Sequence, residues 1–126
     1  MAESHLDTHL VVWLYSGKLD LISSKAKEII ETHDLCYCPI VKLEIQYLNE
    51  IKRINTGPEK ILRELNKELG LKEDVVEFSR LVDLSIKQNW TRDPFDRFIV
   101  SNAELTKSVL LTKDDTILRN YKRAVW

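Results

Sequence analysis

Residues 35–54, LCYCPIVKLEIQYLNEIKRI, pass from strand-forming side chains directly into a helical pattern. That junction decides the fold class. Leu35–Cys36–Tyr37–Cys38 is a short stretch of β-compatible residues. Pro39 follows at a first helical position, where its missing N–H costs nothing, and the helix it opens is expected to run to about Ile54. Toward the N-terminus, His5–Leu6–Asp7 reads as the end of a strand. Thr8 then caps a helix from His9 to Tyr15, with Gly17 as its stop; periodicity leaves one long strand through Leu14 open as an alternative. Ser23 and Ser24 precede a helix to about Thr32. Toward the C-terminus, Gly57–Pro58 breaks the chain and helices are expected over about 59–69 and 74–88. Asp93–Pro94 opens another, to about Thr106. Val109–Leu110–Leu111–Thr112 is a short apolar strand, and Ala124–Val125–Trp126 is one more. Short strands alternating with helices predict an α/β domain with a mostly parallel sheet. In such sheets functional side chains gather beyond the carboxyl ends of the strands.

The 126 residues are 44% hydrophobic, which suits a single domain over 1–126 with a core that needs neither disulfide nor structural metal. Cys36 and Cys38 are too close for an unstrained disulfide and offer two thiolates where a metal wants four ligands, so small buried strand residues are expected. His5, His9 and His33 fall at no metal-ligand spacing and read as structural. Gly17, Gly57 and Gly70 lie too far apart for a phosphate-cradling loop. No apolar run approaches the length of a membrane span, and no basic-then-apolar leader opens the chain, so a cytoplasmic protein without membrane contact is expected.

Net charge and charge distribution point in different directions. With 19 Lys+Arg against 20 Asp+Glu, the net of -1 argues at first against a nucleic-acid partner. The distribution reverses that reading: residues 1–86 carry 11 Lys+Arg and 15 Asp+Glu, residues 87–126 carry 8 and 5. If four of the acids hold two divalent cations, the formal total moves from -1 to +3.

Four acids stand out. Asp7 lies at the carboxyl end of the first strand, where a turn or cap serves equally well. On the helix after Pro39, the apolar stripe is expected to be Ile40, Leu43, Tyr47, Leu48 and Ile51, with Glu44 inside it. A carboxylate there is expensive unless it meets a cation, either a buried Lys or Arg or a metal. In Asp93–Pro94–Phe95–Asp96, Asp93 fits an N-cap and Pro94 the first helical position, while Asp96 projects from the first turn. Asp114 follows a strand end as Asp7 does, with Asp115 as a substitute and turn chemistry as the plain reading of either. Converging carboxylates repel unless divalent cations sit between them, and Mg²⁺ prefers oxygen donors and phosphate. Metal-assisted phosphodiester hydrolysis is the chemistry implied. Arg92 and Arg97 flank the acid pair, and Lys113 precedes Asp114; these cations could contact substrate phosphate, or the arginines could pair with neighbouring acids. Trp13, Trp90 and Trp126 could stack on bases or fill the core. Leu62, Leu65 and Leu69 form an apolar seam suited to core or dimer surface.

Leu6–Asp7–Thr8–His9, Leu43–Glu44–Ile45, Arg92–Asp93–Pro94–Phe95–Asp96–Arg97 and Leu111–Thr112–Lys113–Asp114 resemble, in order, the motifs of PIN-domain ribonucleases. The Asp-Pro-Phe-Asp-Arg form with Phe98–Ile99–Val100 resembles the VapC-type toxins of prokaryotic toxin–antitoxin pairs. The likeness runs from Leu6 to Trp126, although about 55–90 agrees only in helical character. It implies a three-layer α/β/α fold with a parallel sheet of four or five strands and Mg²⁺- or Mn²⁺-dependent endonuclease action on RNA. It also implies metal-binding acids at Asp7, Glu44, Asp96 and Asp114, with Asp93 accessory and Thr112 positioning the metal water or its ligands. A homodimer and a small inhibitory antitoxin are implied as well. Cys38 before Pro39, where Ser is frequent, and Lys113 in place of Arg are departures that remove no acid. Alternatives are a nuclease of this fold acting on DNA, a binding-only relative, and a phosphate-receiver module. The last would need an acidic pair after the first strand and an Asp near mid-chain, and neither is present.

Overall fold

Parallel strands cannot be joined by tight turns; each needs a crossover, and here every crossover contains helix. The computed structural model describes residues 2–126. Its strands are β1 (Glu3–Leu6), β2 (Asp34–Tyr37), β3 (Lys72–Glu73), β4 (Val109–Leu111) and β5 (Ala124–Val125). They form one sheet in the order β3-β2-β1-β4-β5, parallel at every pairing. The helices are α1 (Thr8–Tyr15), α2 (Ser24–Thr32), α3 (Ile40–Glu50), α4 (Pro58–Leu69), α5 (Phe78–Ile86), α6 (Pro94–Leu105) and α7 (Asp115–Asn120). The α/β class and the five-stranded parallel sheet are those expected. No helix is long and apolar enough to cross a membrane among the described residues.

Local chemistry explains most boundaries. The Ser23 hydroxyl accepts from the Ala26 N–H at 3.0 Å and starts α2. Pro58 opens α4, and Gly70, at φ 71°, closes it in the left-handed conformation that glycine adopts at least cost. The central strands are buried by Leu6, Leu35, Leu110 and Leu111, against which Leu10, Ile45, Ile61, Leu65, Ile99 and Ile117 pack from the helices.

Several boundaries and faces differ from expectation. The first helix is capped by Asp7, not Thr8: the Asp7 carboxylate accepts from the Thr8 N–H. Helix α3 stops at Glu50 because Lys52 adopts φ 63°. Its buried residues are Val41 and Ile45, while Leu43 and Tyr47 are 57% and 49% exposed. The helix carries two apolar stripes, and the β-branched pair is the one that faces the core. The seam on α4 is buried at Leu62 and Leu65 but 38% exposed at Leu69. The helix expected over 74–88 is shortened to α5 (Phe78–Ile86), because Lys72 and Glu73 pair with Cys36 and Tyr37 as an edge strand and Asp74 continues that pairing, its N–H donating to the Tyr37 carbonyl at 2.9 Å. A charged strand of two residues has no apolar pattern to betray it. The short α7 and a 3₁₀ turn at Leu19–Leu21 are further elements beyond those expected.

One polar group lies deep in the fold. His5, fully buried on β1, has Nε2 at 2.8 Å from Asp74 Oδ2, and Asn102 Nδ2 donates to the same oxygen at 3.1 Å. Burial lowers the pKa of His5 despite Asp74, which disfavours the charged ring. Burial also pushes the Cys36 and Cys38 thiols up to about 12, as suits the small buried residues expected on this strand.

The assignment of the α3 faces is testable. Ile45→Ala should cost about 2–5 kcal/mol in urea denaturation, the range for emptying a packed core site. Leu43→Ala should change stability by no more than about 0.5 kcal/mol at concentrations where unfolding is concentration-independent. The reverse result would mean that the helix is rotated.

Candidate active site

The chain leaves β1 toward β2 on one side and leaves β4 toward β5 on the other, so the crevice at their carboxyl ends is the topological switch point of the sheet. Asp7 follows β1 directly, and its N–H donates to the Leu111 carbonyl at 3.0 Å, tying it to β4. Both of its carboxylate oxygens are engaged. Oδ1 accepts from the Thr8 N–H at 2.7 Å and Oδ2 from the Thr112 hydroxyl at 2.7 Å. Thr112 is itself fully buried and accepts from the Asp114 N–H at 3.0 Å. Asp114 caps α7 through the Ile117 N–H at 3.0 Å. One threonine therefore links the acids that follow two neighbouring strands.

Two helices bring the remaining acids. Glu44 on α3 accepts from the Thr8 hydroxyl, which fixes its direction toward Asp7. No Lys or Arg pairs with Glu44 among the described residues. Asp93 caps α6 by accepting from Phe95 and Asp96 N–H groups at 2.9 and 3.4 Å, and so aims Asp96 from the first turn. Desolvation, followed by the charges of Asp7, Asp93, Asp114 and Glu44, pushes the Asp96 pKa up to about 8. Desolvation raises that of Glu44 to about 7, against the Thr8 hydrogen bond and with help from Asp7 and Asp93. The acids sense one another, yet no three of them have ligand atoms all within 4.8 Å of one another. Among the described residues, the one group of three His, Cys, Asp or Glu donors that all lie within 4.8 Å of one another is elsewhere. Spacing of this kind leaves room for water, which Mg²⁺ retains in its shell when one or two carboxylates bind it directly.

The other expected residues divide. Lys113 is exposed beside the crevice, with its ammonium 5.8 Å from the Trp13 ring centre. Trp13 and Trp126 are half-buried, 6.1 Å apart, and His9 joins them at 4.9 Å from Trp13. Arg92 is exposed and donates only to the Asn89 carbonyl. Arg97 is committed to scaffolding, since its guanidinium donates to the carbonyls of Thr91 and Ser85 and ties α6 to α5. Trp90 is also scaffolding: its indole N–H donates to Gln88, which in turn donates to Glu104. Asp115 is exposed in the first turn of α7 and is not among the charges that act on Asp96.

Two site residues escape sequence reasoning. Thr8 carries both a backbone and a hydroxyl donor to the acids, and His9 accepts from the Lys113 N–H at 3.0 Å with Nδ1 at 3.5 Å from Asp7 Oδ2. Their place directly after Asp7, in the first turn of a helix, is the signal that could have found them.

The chain matches the PIN domain family over residues 5–123. No curated protein matches it. It is similar in structure to VapBC2 from Rickettsia felis, bound to a DNA fragment from its promoter, at 16% identity and TM-score 0.65, covering 98% of this chain and 96% of that one. A toxin–antitoxin complex from Klebsiella pneumoniae is similar at 16% identity and TM-score 0.68, with coverage of 98% and 96%. VapBC-1 from nontypeable Haemophilus influenzae is similar at 15% identity and TM-score 0.58, with coverage of 96% and 91%. At these identities the likeness is one of fold.

The raised carboxyl pKa values carry a stability consequence. Without metal, the native state keeps protons that the unfolded chain releases near 3.8 and 4.5. Stability from this source is full below those values and is lost as pH rises through about 7 and 8. Thermal unfolding of chelator-treated protein should therefore fall in midpoint from pH 5 to pH 8.5. Asp96→Asn should flatten that decline, and an unchanged slope would refute the coupling.

Proposed function

Because the chain belongs to the PIN domain family, we propose that it is a divalent-metal-dependent endoribonuclease that hydrolyses RNA phosphodiester bonds at Asp7, Glu44, Asp96 and Asp114. The observation that carries this reading is the half-buried Asp96, raised to about 8 by desolvation and by the charges of four other carboxylates. Such a site is suited to a countercharge that the protein's own side chains do not supply. Its donors are all oxygens, which fits Mg²⁺ or Mn²⁺ rather than a softer ion. PIN domains are generally nucleases, and family membership removes the phosphate-receiver alternative.

Asp7, Glu44, Asp96 and Asp114 would hold the cation, which when bound supplies Lewis acidity and a more acidic water. The protein contributes orientation. Thr8 and Thr112 hold Glu44 and Asp7 in single directions, so little reorganisation is left for the reaction itself. Asp93 acts through the α6 cap, keeping the first turn that carries Asp96 in place. Lys113 and Arg92 stand free to meet phosphate oxygens beside the site. The ring cluster of His9, Trp13 and Trp126 offers faces on which an unpaired base can stack, which favours single-stranded RNA over a duplex.

The same reading extends to partners. The fold shared with toxin–antitoxin complexes supports a role as the toxin of such a pair, held in check by a cognate antitoxin. Exposed Leu43, Tyr47, Ile51 and Phe78 supply apolar surface of the kind that a homodimer covers.

Incubation with single-stranded RNA and DNA in Mg²⁺, Mn²⁺ or chelator tests the proposal. RNA should be cut only with metal. Asp96→Asn and Glu44→Gln should each lose more than the roughly 10- to 100-fold expected when an outer partner such as Thr112 is replaced by Val. Arg97→Lys should act through stability alone, leaving the cleavage rate of folded protein unchanged. Metal-independent cleavage, or full activity in Asp96→Asn, would overturn the reading, and preferential cutting of DNA would change its substrate.

A further inference from the structure

A second group of ligating side chains lies under β1, β2 and β3, apart from the acidic crevice and independent of its function. His5 Nε2, Cys36 Sγ and an Asp74 carboxylate oxygen all lie within 4.8 Å of one another. His5 and Cys36 are register partners on adjacent parallel strands and so project from the same face, while Asp74 directly follows β3. A fourth donor is close, since Glu3 Oε1 is 3.9 Å from Cys36 Sγ. Two strands and the residue after a third thus contribute a nitrogen, a sulfur and a carboxylate around one point, with the Glu3 carboxylate beside the sulfur.

The structure assigns this cluster as a second metal site, for a transition ion of the Zn²⁺ class. Imidazole with a thiolate selects such an ion over Mg²⁺, and three mixed donors leave one of its four tetrahedral positions for Glu3 or a water. Access is provided by a cavity of about 460 Å³ that reaches Cys36 and Asp74 and is lined by Glu3, His33 and Glu73 among others. His5 Nδ1 and Asn102 Oδ1 are buried without a hydrogen-bond partner, in residues with no exposed surface. Asn102 Nδ2 meanwhile steadies the Asp74 carboxylate from α6 at 3.1 Å, the outer support that a ligating carboxylate needs.

Little has to move. His5 Nε2 and Asp74 Oδ2 are 2.8 Å apart. A tetrahedral ion holds nitrogen and oxygen donors roughly 3.3 Å apart, so the pair opens by about half an ångström. On binding, the hydrogen bond between them breaks, the ring proton resides on Nδ1, and the Cys36 thiol proton leaves to solvent. No oxidant or reductant takes part.

Co²⁺ is the probe, added to the full chain under reducing conditions and then displaced by Zn²⁺. About one equivalent should give tetrahedral visible absorption with a near-ultraviolet thiolate-to-cobalt band, and Zn²⁺ should bleach both. Cys36→Ser should abolish the charge-transfer band, and Asp74→Asn should weaken Co²⁺ binding at least about tenfold. Cys38→Ser and Asp96→Asn should leave the spectrum intact, which separates this site from the other thiol and from the acidic crevice. Absence of a thiolate band in the parent chain, its survival in Cys36→Ser, or its loss in Cys38→Ser or Asp96→Asn would overturn the assignment. If circular dichroism shows Cys36→Ser unfolded, Asp74→Asn decides, and unchanged Co²⁺ affinity there overturns it equally.

Discussion

Carboxylates gathered at one end of a parallel sheet repel one another, and most of the candidate site is arranged around that repulsion. Two unit charges about 5 Å apart in surroundings of effective dielectric near 20 oppose each other by roughly 3 kcal/mol. Desolvation first, and then the charges of four other carboxylates, make Asp96 resist ionisation. The fold tolerates this because the acids are held by groups that do not move. Asp7 is clamped by a helix N-terminus and a buried threonine, and Asp114 and Asp93 are engaged as helix caps. Each cap uses a carboxylate to satisfy orphan N–H groups at a positive helix end. The same contacts that stabilise α1, α6 and α7 therefore position the charge.

The switch point explains why these contacts coincide. β1 and β4 are neighbours whose chains depart in opposite directions, so two helix N-termini face one crevice. Helices α3 and α6 pack against each other beside it and bring Glu44 and Asp96. Rigid elements supply every acid. The flanking groups Lys113, Arg92, Trp13 and Trp126 are more exposed than Asp7 or Thr112, as suits a surface that meets a long flexible polymer.

Different physical signals make different parts legible in advance. Asp93–Pro94 is readable as a cap because its chemistry is local, and β4 because an apolar run between polar residues has few alternatives. The α3 helix shows the opposite. Its sequence carries Val41 and Ile45 on one face and Leu43, Tyr47 and Ile51 on another, and nothing within the helix says which meets the core. Glu44 stands out along the chain as an acid inside an apolar stripe. It belongs to the crevice because it lies between the two stripes, and Thr8, distant in sequence, orients it. Arg97 has the sequence context of a phosphate ligand, but its guanidinium donates to the carbonyls of Ser85 on α5 and Thr91 in the loop before α6.

The sequence by itself determined the alternation of strand and helix, the caps, and which acids were candidates, because these depend on side-chain chemistry over a few residues. Only the tertiary structure decided which faces are buried, that Lys72–Glu73 completes the sheet, and that His5, Cys36 and Asp74 meet. Those outcomes rest on contacts between residues tens of positions apart, whose spacing along the chain carries no trace of their spacing in the fold. The near-zero net charge likewise says nothing until geometry shows which carboxylates share one crevice and so call for cations that a formal count leaves out.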